Sequence, residues 1–372
     1  MLPPPATLEP GATTAPSPPA GDDERPPPAP ADADLAPQLQ AALDEWLLEQ
    51  DVPGAVLGLR LADGRTAVVA AGSTDDEGGR AVEAGHRFRI GSITKTFVAA
   101  LVLQLVDDGL VELDRPFGEH LPDAPFGERV TVRQLLSHSS GIPDFGRRDD
   151  YARLVLIQPG RVWATDEVVE MVADQPLDFE PGSRTAYSNT NYSLAGLLAE
   201  EVTGRSLAEL LRERISEPAG LDATFLEALE DSPRLAVNGH FDIDGDGQPN
   251  NVRGISYNAL VTSGAAAGGL SANALDVLDF AAALFEGELL SDAALAEMLD
   301  PPSGSYGLGI VRVTRAGHTI WGHDGALPGF SATFGHLPAE GVSFVVLANQ
   351  TGANVHLLAE AALATIGESG SP

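Results

Sequence analysis

The sequence predicts a mixed α/β protein whose sheet is assembled from both ends of the chain, with a helical lobe inserted between the two contributions. Three observations predict it. Residues 55–61 and 66–71 read as strands joined by the turn Asp63-Gly64. Residues 307–313, 318–322, 331–336 and 342–347 read as strands near the other end. Between these groups the apolar residues recur at helical spacing.

Taken in order, residues 1–35 form a tail crowded with proline, from Pro3-Pro4-Pro5 to Pro26-Pro27-Pro28. It holds too little apolar surface to fold and is expected to be a disordered leader, or a linker from an anchor. The catalytic domain is expected over 36–370. Leu39, Leu43, Trp46 and Leu47 mark a first amphipathic helix, ended by Pro53-Gly54. A helix over 92–108 is apolar on nearly every side, so it should be central, with Gly109 as its cap. Further helices are expected at 132–136, 165–173, 193–202, 206–215, 275–285, 292–298 and 355–366. The sheet lobe would comprise about 36–91 and 256–370, and the helical lobe about 92–255.

Composition narrows the function. The 372 residues carry a formal charge of −32, from 54 acidic against 22 basic side chains. Such a surface repels nucleic acid and anionic lipid. The absence of cysteine excludes disulfides, thiolate catalysis and cysteine-ligated zinc. The longest apolar stretch, 97–106, is too short for a bilayer span and contains Gln104. No signal peptide is visible, which leaves a cytoplasmic protein or one whose signal has been removed. Lys95 is the only lysine in the chain. An arginine cannot lose its proton at accessible pH, but a lysine can, so this position is a candidate for a deprotonable amine.

Three short motifs carry chemistry. Ser92-Ile93-Thr94-Lys95 puts a hydroxyl and an amine on one helix face, at the helix start. A serine needs a base, and a desolvated lysine can be one. Taken alone, Ser-x-x-Lys is also a common helix start. Tyr187-Ser188-Asn189 offers a phenol for proton relay and an amide for a substrate, or simply a polar turn before a helix. Gly322-His323-Asp324-Gly325-Ala326 follows an apolar strand; its glycine permits close approach and its imidazole can donate a hydrogen bond. The alternative is a strand-end turn with an incidental histidine.

Together these motifs resemble the serine penicillin-recognising hydrolases: class C β-lactamases, D-alanyl-D-alanine carboxypeptidases, and the esterases and D-aminopeptidases of the same fold. Their order is Ser-x-x-Lys, Tyr-x-Asn, then Lys/His-x-Gly. The flanking runs Phe88-Arg89-Ile90-Gly91, Leu135-Leu136-Ser137-His138-Ser139-Ser140-Gly141, Gly268-Gly269-Leu270-Ser271 and Tyr306-Gly307-Leu308-Gly309 match as well. The resemblance covers roughly residues 38–366. It implies an α/β fold of the β-lactamase/transpeptidase type, an antiparallel sheet flanked by helices with an all-helical lobe. It implies Ser92 as acylated nucleophile, Lys95 and Tyr187 sharing the base role, and Tyr187 protonating the leaving group. Asn189 would bind the acyl amide, His323 would replace the third-motif cation, and Gly325 would admit the substrate. The N–H groups of Ser92 and Ala326 would form the oxyanion hole, and His138 would be structural support. The family is extracellular or at the cell envelope, and requires no cofactor.

Two departures from the family bear on substrate. Val311 stands where carboxypeptidases carry an arginine, with Arg312 next, on the opposite strand face by the period of two. Asp324 replaces a neutral residue and would repel a carboxylate. Neutral esters, or amides with a cationic neighbour, are therefore expected. Asp242, Asp244 and Asp246 with Gly247 resemble half a calcium loop, but Arg253 stands where the closing glutamate belongs. A structural calcium ion or a plain acidic loop both fit. The expected partner is a small-molecule, peptide or ester substrate. D-Peptidase, esterase and β-lactamase activity stay open, as does a silent penicillin-binding sensor on the same fold.

Overall fold

The computed structural model describes residues 35–368, apart from 76–78, 244, 253, 303 and 316. The expected tail, up to residue 34, lies outside the described residues. A six-stranded antiparallel sheet is built from β1 (Gly54–Arg60), β2 (Thr66–Gly72), β3 (Val311–Arg315), β4 (His318–Leu327), β5 (Phe330–Leu337) and β6 (Val342–Ala348). Its order is β2-β1-β6-β5-β4-β3, so the first hairpin is sealed to the last strands through β1 and β6.

Both faces of the sheet are covered. On one side pack α1 (Leu35–Gln50) and the C-terminal helix. Leu35, Leu39, Leu43 and Trp46 of α1 repeat every three to four residues and are all buried there. Phe344 and Val346 of β6 join them, whereas Val345 and Leu347 point to the opposite side, into the main core. This alternation explains why β6 is apolar at almost every position. The Trp46 indole N–H donates to the carbonyl of Asn354 at 3.1 Å, tying α1 to the entry of the closing helix.

In the main core runs α2 (Thr94–Asp107), with every residue from Thr94 to Leu103 buried. It packs against α3 (Asn189–Thr203), and its Phe97 ring stacks on Phe280 of α4 (Ala274–Phe285) at 3.6 Å. Gln104, which interrupts the apolar run, donates to the carbonyls of Arg214 and Leu289. The closing helix is α5 (Val355–Glu368).

The boundaries differ from the sequence reading at two informative places. Helix α3 starts at Asn189, four residues before the expected 193, so the second motif leads into it, with Ser188 at the N-cap and Asn189 its first residue. Strand β4 continues through His323, Gly325 and Ala326 instead of turning after Gly322. The pairing with β5 holds it extended: His323 lies opposite Phe334 and Gly325 opposite Ala332. Sequence pattern sees only the glycines there, and not the partner strand that keeps them in register.

We expect Leu43→Ala to cost about 2–5 kcal/mol, the range for emptying a buried leucine site. Leu48→Ala, at an 86% exposed position on the same helix, should change stability by less than about 0.5 kcal/mol. Urea denaturation of the two variants checks this.

Candidate active site

Ser92 lies in the 3₁₀ turn Gly91–Ile93, directly before α2. Gly91 has φ +51°, a conformation that costs a side chain, and a Cβ there would sit 2.7 Å from the Ala326 nitrogen. A Cβ on Gly325 would lie 1.9 Å from the Ile90 carbonyl oxygen. The two glycines thus let β4 run hard against the serine turn. Gly325 serves this internal contact, where the sequence suggested close approach to substrate. The exposed Ala326 is carried to the mouth of the site beside Ser92, the placement an oxyanion hole made of their two N–H groups requires.

Lys95 is completely buried. Its Nζ reaches the Ser92 Oγ at 3.2 Å, the Asn189 Oδ1 at 2.9 Å and the Ala267 carbonyl at 2.6 Å. An ammonium would have all three N–H groups satisfied. A neutral amine would keep two of these bonds and turn its lone pair to the serine hydroxyl. Burial pulls its pKa from 10.5 to about 7, against the opposing pull of Asp144. The Tyr187 hydroxyl donates to the Ser92 Oγ at 2.7 Å. Burial holds that phenol above its ordinary range, so it stays protonated while Lys95 titrates.

His138 brackets Tyr187 along the chain. Its carbonyl accepts from the Ala186 N–H at 2.9 Å, and its Nδ1 accepts from the Ser188 N–H at 3.2 Å. Its ring lies 4.3 Å from the phenol ring. His138 holds φ +56°, uncommon for a residue with a side chain. It therefore fixes where Tyr187 stands without touching the serine.

Asp144 is a residue the sequence reading passed over. Its carboxyl is only 8% exposed. It accepts from the Asn189 backbone N–H at 3.1 Å and from the Asn189 side-chain amide at 3.2 Å. Ser188, at the N-cap of α3, makes no side-chain cap, so Asp144 supplies the acceptor and the negative charge that a helix start favours. Asn189 is held between Lys95 and Asp144, and its oxygen keeps a second lone pair for a substrate N–H. The only local signal was an acid three residues after Ser139-Ser140-Gly141.

His323 is buried, with Nδ1 2.6 Å from the Asp324 carbonyl and Nε2 2.8 Å from the Tyr306 hydroxyl. The carbonyl needs a donor, so Nδ1 carries the proton and Nε2 accepts from Tyr306. Burial, and then the charge of Lys95, push His323 down to about 4. In place of the third-motif cation, this site holds a neutral imidazole. Tyr306 belonged to a flanking landmark, but nothing in sequence joined it to His323.

Two substrate arguments made from sequence are corrected. The Asp324 side chain faces α5, where it accepts from Thr333 Oγ1 at 2.8 Å and lies 3.1 Å from His356 Nε2. The residue next to an inward-pointing His323 on a strand must point outward. Arg312 pairs in register with Trp321 and so shares the face of His323, while Val311, opposite Gly322, faces α5. Its guanidinium lies 5.8 Å from the centre of the Trp321 ring.

In the acidic loop, Asp242 accepts from the Gly245 and Gly247 N–H groups and Asp246 from that of Gln248. Asp244 is outside the described residues, among which no group of three or more His or acidic side chains is placed to hold a metal. No helix among the described residues is long and apolar enough to cross a membrane.

Comparison with known proteins gives the family and the fold. A family model described as Beta-lactamase matches residues 31–366. The chain belongs to that family of serine hydrolases and has its mixed α/β fold. Penicillin-binding protein 4 of Amycolatopsis lactamdurans is 31% identical over 340 residues, covering 83% of this chain and 84% of that protein. A D-aminopeptidase of Cereibacter sphaeroides is 30% identical over 322 residues, covering 84% of this chain and 59% of the relative. The D-amino acid amidase of Ochrobactrum anthropi SV3, solved with L-phenylalanine amide, superposes with a TM-score of 0.80 at 29% identity, covering 91% of this chain and all of that one (100%).

Because the base must be neutral to act, kcat/KM should rise with pH through an apparent pKa of about 7. Asp144→Asn removes a charge that raises this value, so its limb should move to lower pH. Folding stability should also rise with pH between about 7 and 10.5, where the unfolded chain binds the proton that folded Lys95 has lost. Lys95→Met should abolish that slope in pH-dependent denaturation.

Proposed function

We propose that this protein is an acyl-transferring serine hydrolase that cleaves amides or esters through an acyl-enzyme on Ser92. The observation that carries the reading is the placement of the Ser92 Oγ between a buried amine at 3.2 Å and a protonated phenol at 2.7 Å. Neutral Lys95 takes the hydroxyl proton as Oγ attacks the carbonyl carbon. The oxyanion forms against the N–H groups of Ser92 and Ala326, each such donor worth about 3–4 kcal/mol in the transition state. Tyr187 gives its proton to the departing nitrogen or oxygen and recovers one from the Lys95 ammonium, so that the proton taken from the serine leaves with the product. Water then enters along the same path, with Lys95 again the base, and releases the acid.

For substrate class the best-supported reading is an amidase or aminopeptidase acting on D-amino-acid derivatives. His323 is neutral, so the third motif itself offers no fixed cation for a carboxylate beside the scissile bond, and Arg312, on the same sheet face, stands beside the Trp321 ring. Asp144, which also lies 3.8 Å from the Arg147 guanidinium, places a negative charge next to Asn189, where a substrate ammonium would be welcome. The relatives named for D-aminopeptidase and D-amino acid amidase activity support the same choice. This reading rests on Asp144 and His323, and replaces the argument from Asp324. The likeness to penicillin-binding protein 4 favours a second reading, a D-alanyl-D-alanine carboxypeptidase or β-lactamase that reacts with penicillins.

Intact-protein mass after adding benzylpenicillin, and release of ammonia from D-phenylalaninamide, separate the two. Amide turnover without a lasting penicillin adduct, lost by a factor of 10² or more in Lys95→Met, is the expected outcome. A lasting adduct absent from Ser92→Ala, with no amide turnover, selects the penicillin-binding reading. Neither signal from wild type would return the chain to a silent binder.

A further inference from the structure

A separate cavity of about 270 Å³ lies beside the active site, with Arg89, Arg234, Asn238, Ser256 and Tyr257 as its polar lining. No aspartate or glutamate is among its described lining residues. The charged lining is therefore basic, in a chain with 54 acidic side chains and a charge of −32. We propose that this cavity binds a carboxylate carried by the substrate at a distance from the scissile bond.

Both walls of the cavity are tied to the catalytic turn. Arg89 lies three residues before Ser92, within about 11 Å by the reach of the chain. The Tyr257 hydroxyl donates at 2.7 Å to the Pro328 carbonyl, two residues past Ala326. An acyl or leaving group that extends up to about 11 Å from the reacting carbonyl would reach from Ser92 to Arg89.

The donors are also prepared for an anion. The Arg89 guanidinium lies 3.7 Å from the centre of the Tyr257 ring and binds Glu227 through Nε at 2.9 Å. Its terminal N–H groups make no other hydrogen bond among the described residues, and the tyrosine face and the carboxylate hold its plane fixed. Glu227 balances that charge, so the cavity's net positive charge comes from Arg234. Arg234 makes no ion pair among the described residues, whereas most other arginines do. The residue before it is anchored, since Arg87 donates to the Pro233 carbonyl. Asn238 and Ser256 add neutral donors.

The inference deepens the hydrolase reading and depends on it only in its kinetic arm. Three esters test it: 4-nitrophenyl butyrate, mono-4-nitrophenyl glutarate with its carboxylate on the acyl side, and 3-carboxyphenyl butyrate with its carboxylate on the leaving group. Arg234→Glu should lower kcat/KM at least tenfold for one carboxylate ester, and less than twofold for the neutral one. Arg234→Lys should retain most of the preference, and the ester that suffers identifies the side of the substrate that enters the cavity. Equal losses on all three, or none, would overturn the proposal. Calorimetric titration of Ser92→Ala with glutarate, against glutaramide as the uncharged control, tests binding without turnover. Glutarate binding that Arg234→Glu abolishes supports the site even where no ester is cleaved, in which case only the hydrolase reading fails. Glutarate binding that is absent, matched by glutaramide or indifferent to Arg234→Glu would overturn it.

Discussion

Desolvation of one amine organises this protein. An ammonium removed from water is costly unless every N–H finds a partner. Lys95 finds its partners on three different segments: the serine turn, the start of α3 and the carbonyl of Ala267. Those segments must meet at hydrogen-bond distance, so the partners of Lys95 also define the geometry of the nucleophile. Its pKa of about 7 follows from the same burial. The cost of burying the charge is what makes the amine useful as a base near neutrality.

The surrounding packing keeps this arrangement rigid. Strand β4 approaches the serine turn so closely that neither Gly91 nor Gly325 has room for a Cβ. His138 pins the backbone on both sides of Tyr187, and Asp144 pins Asn189. These contacts are short-ranged in space and long-ranged in sequence. Such a site exists only in the folded chain, where β4, α2 and α3 meet.

Charge within the site is arranged against the background of an acidic surface. His323 is kept neutral by burial and by Lys95, while Asp144 stays close to the reacting groups. This pattern, a neutral imidazole and a buried carboxylate around the reacting serine, is what supports the proposed amidase reading. Arginine is concentrated instead in the cavity flanking Arg89, displaced from the reacting atoms.

Residue type and spacing alone determined the sheet drawn from both chain ends and the buried central helix, while the candidates Ser92, Lys95, Tyr187 and His323 came from the order of three motifs and the family resemblance that order carries. Helical periodicity and a singular lysine are local signals, and they survive without knowledge of the partners. Tertiary structure decided what those signals could not carry. Asp144 and Tyr306 sit in sequence far from the residues they touch. The outward turn of Asp324 and the inward face of Arg312 depend on strand register with β5 and β3. Register is set by pairing across the sheet, and no window along one strand contains it. The state of Lys95 was similarly undetermined, because a pKa near 7 is a property of burial, and burial belongs to the folded chain.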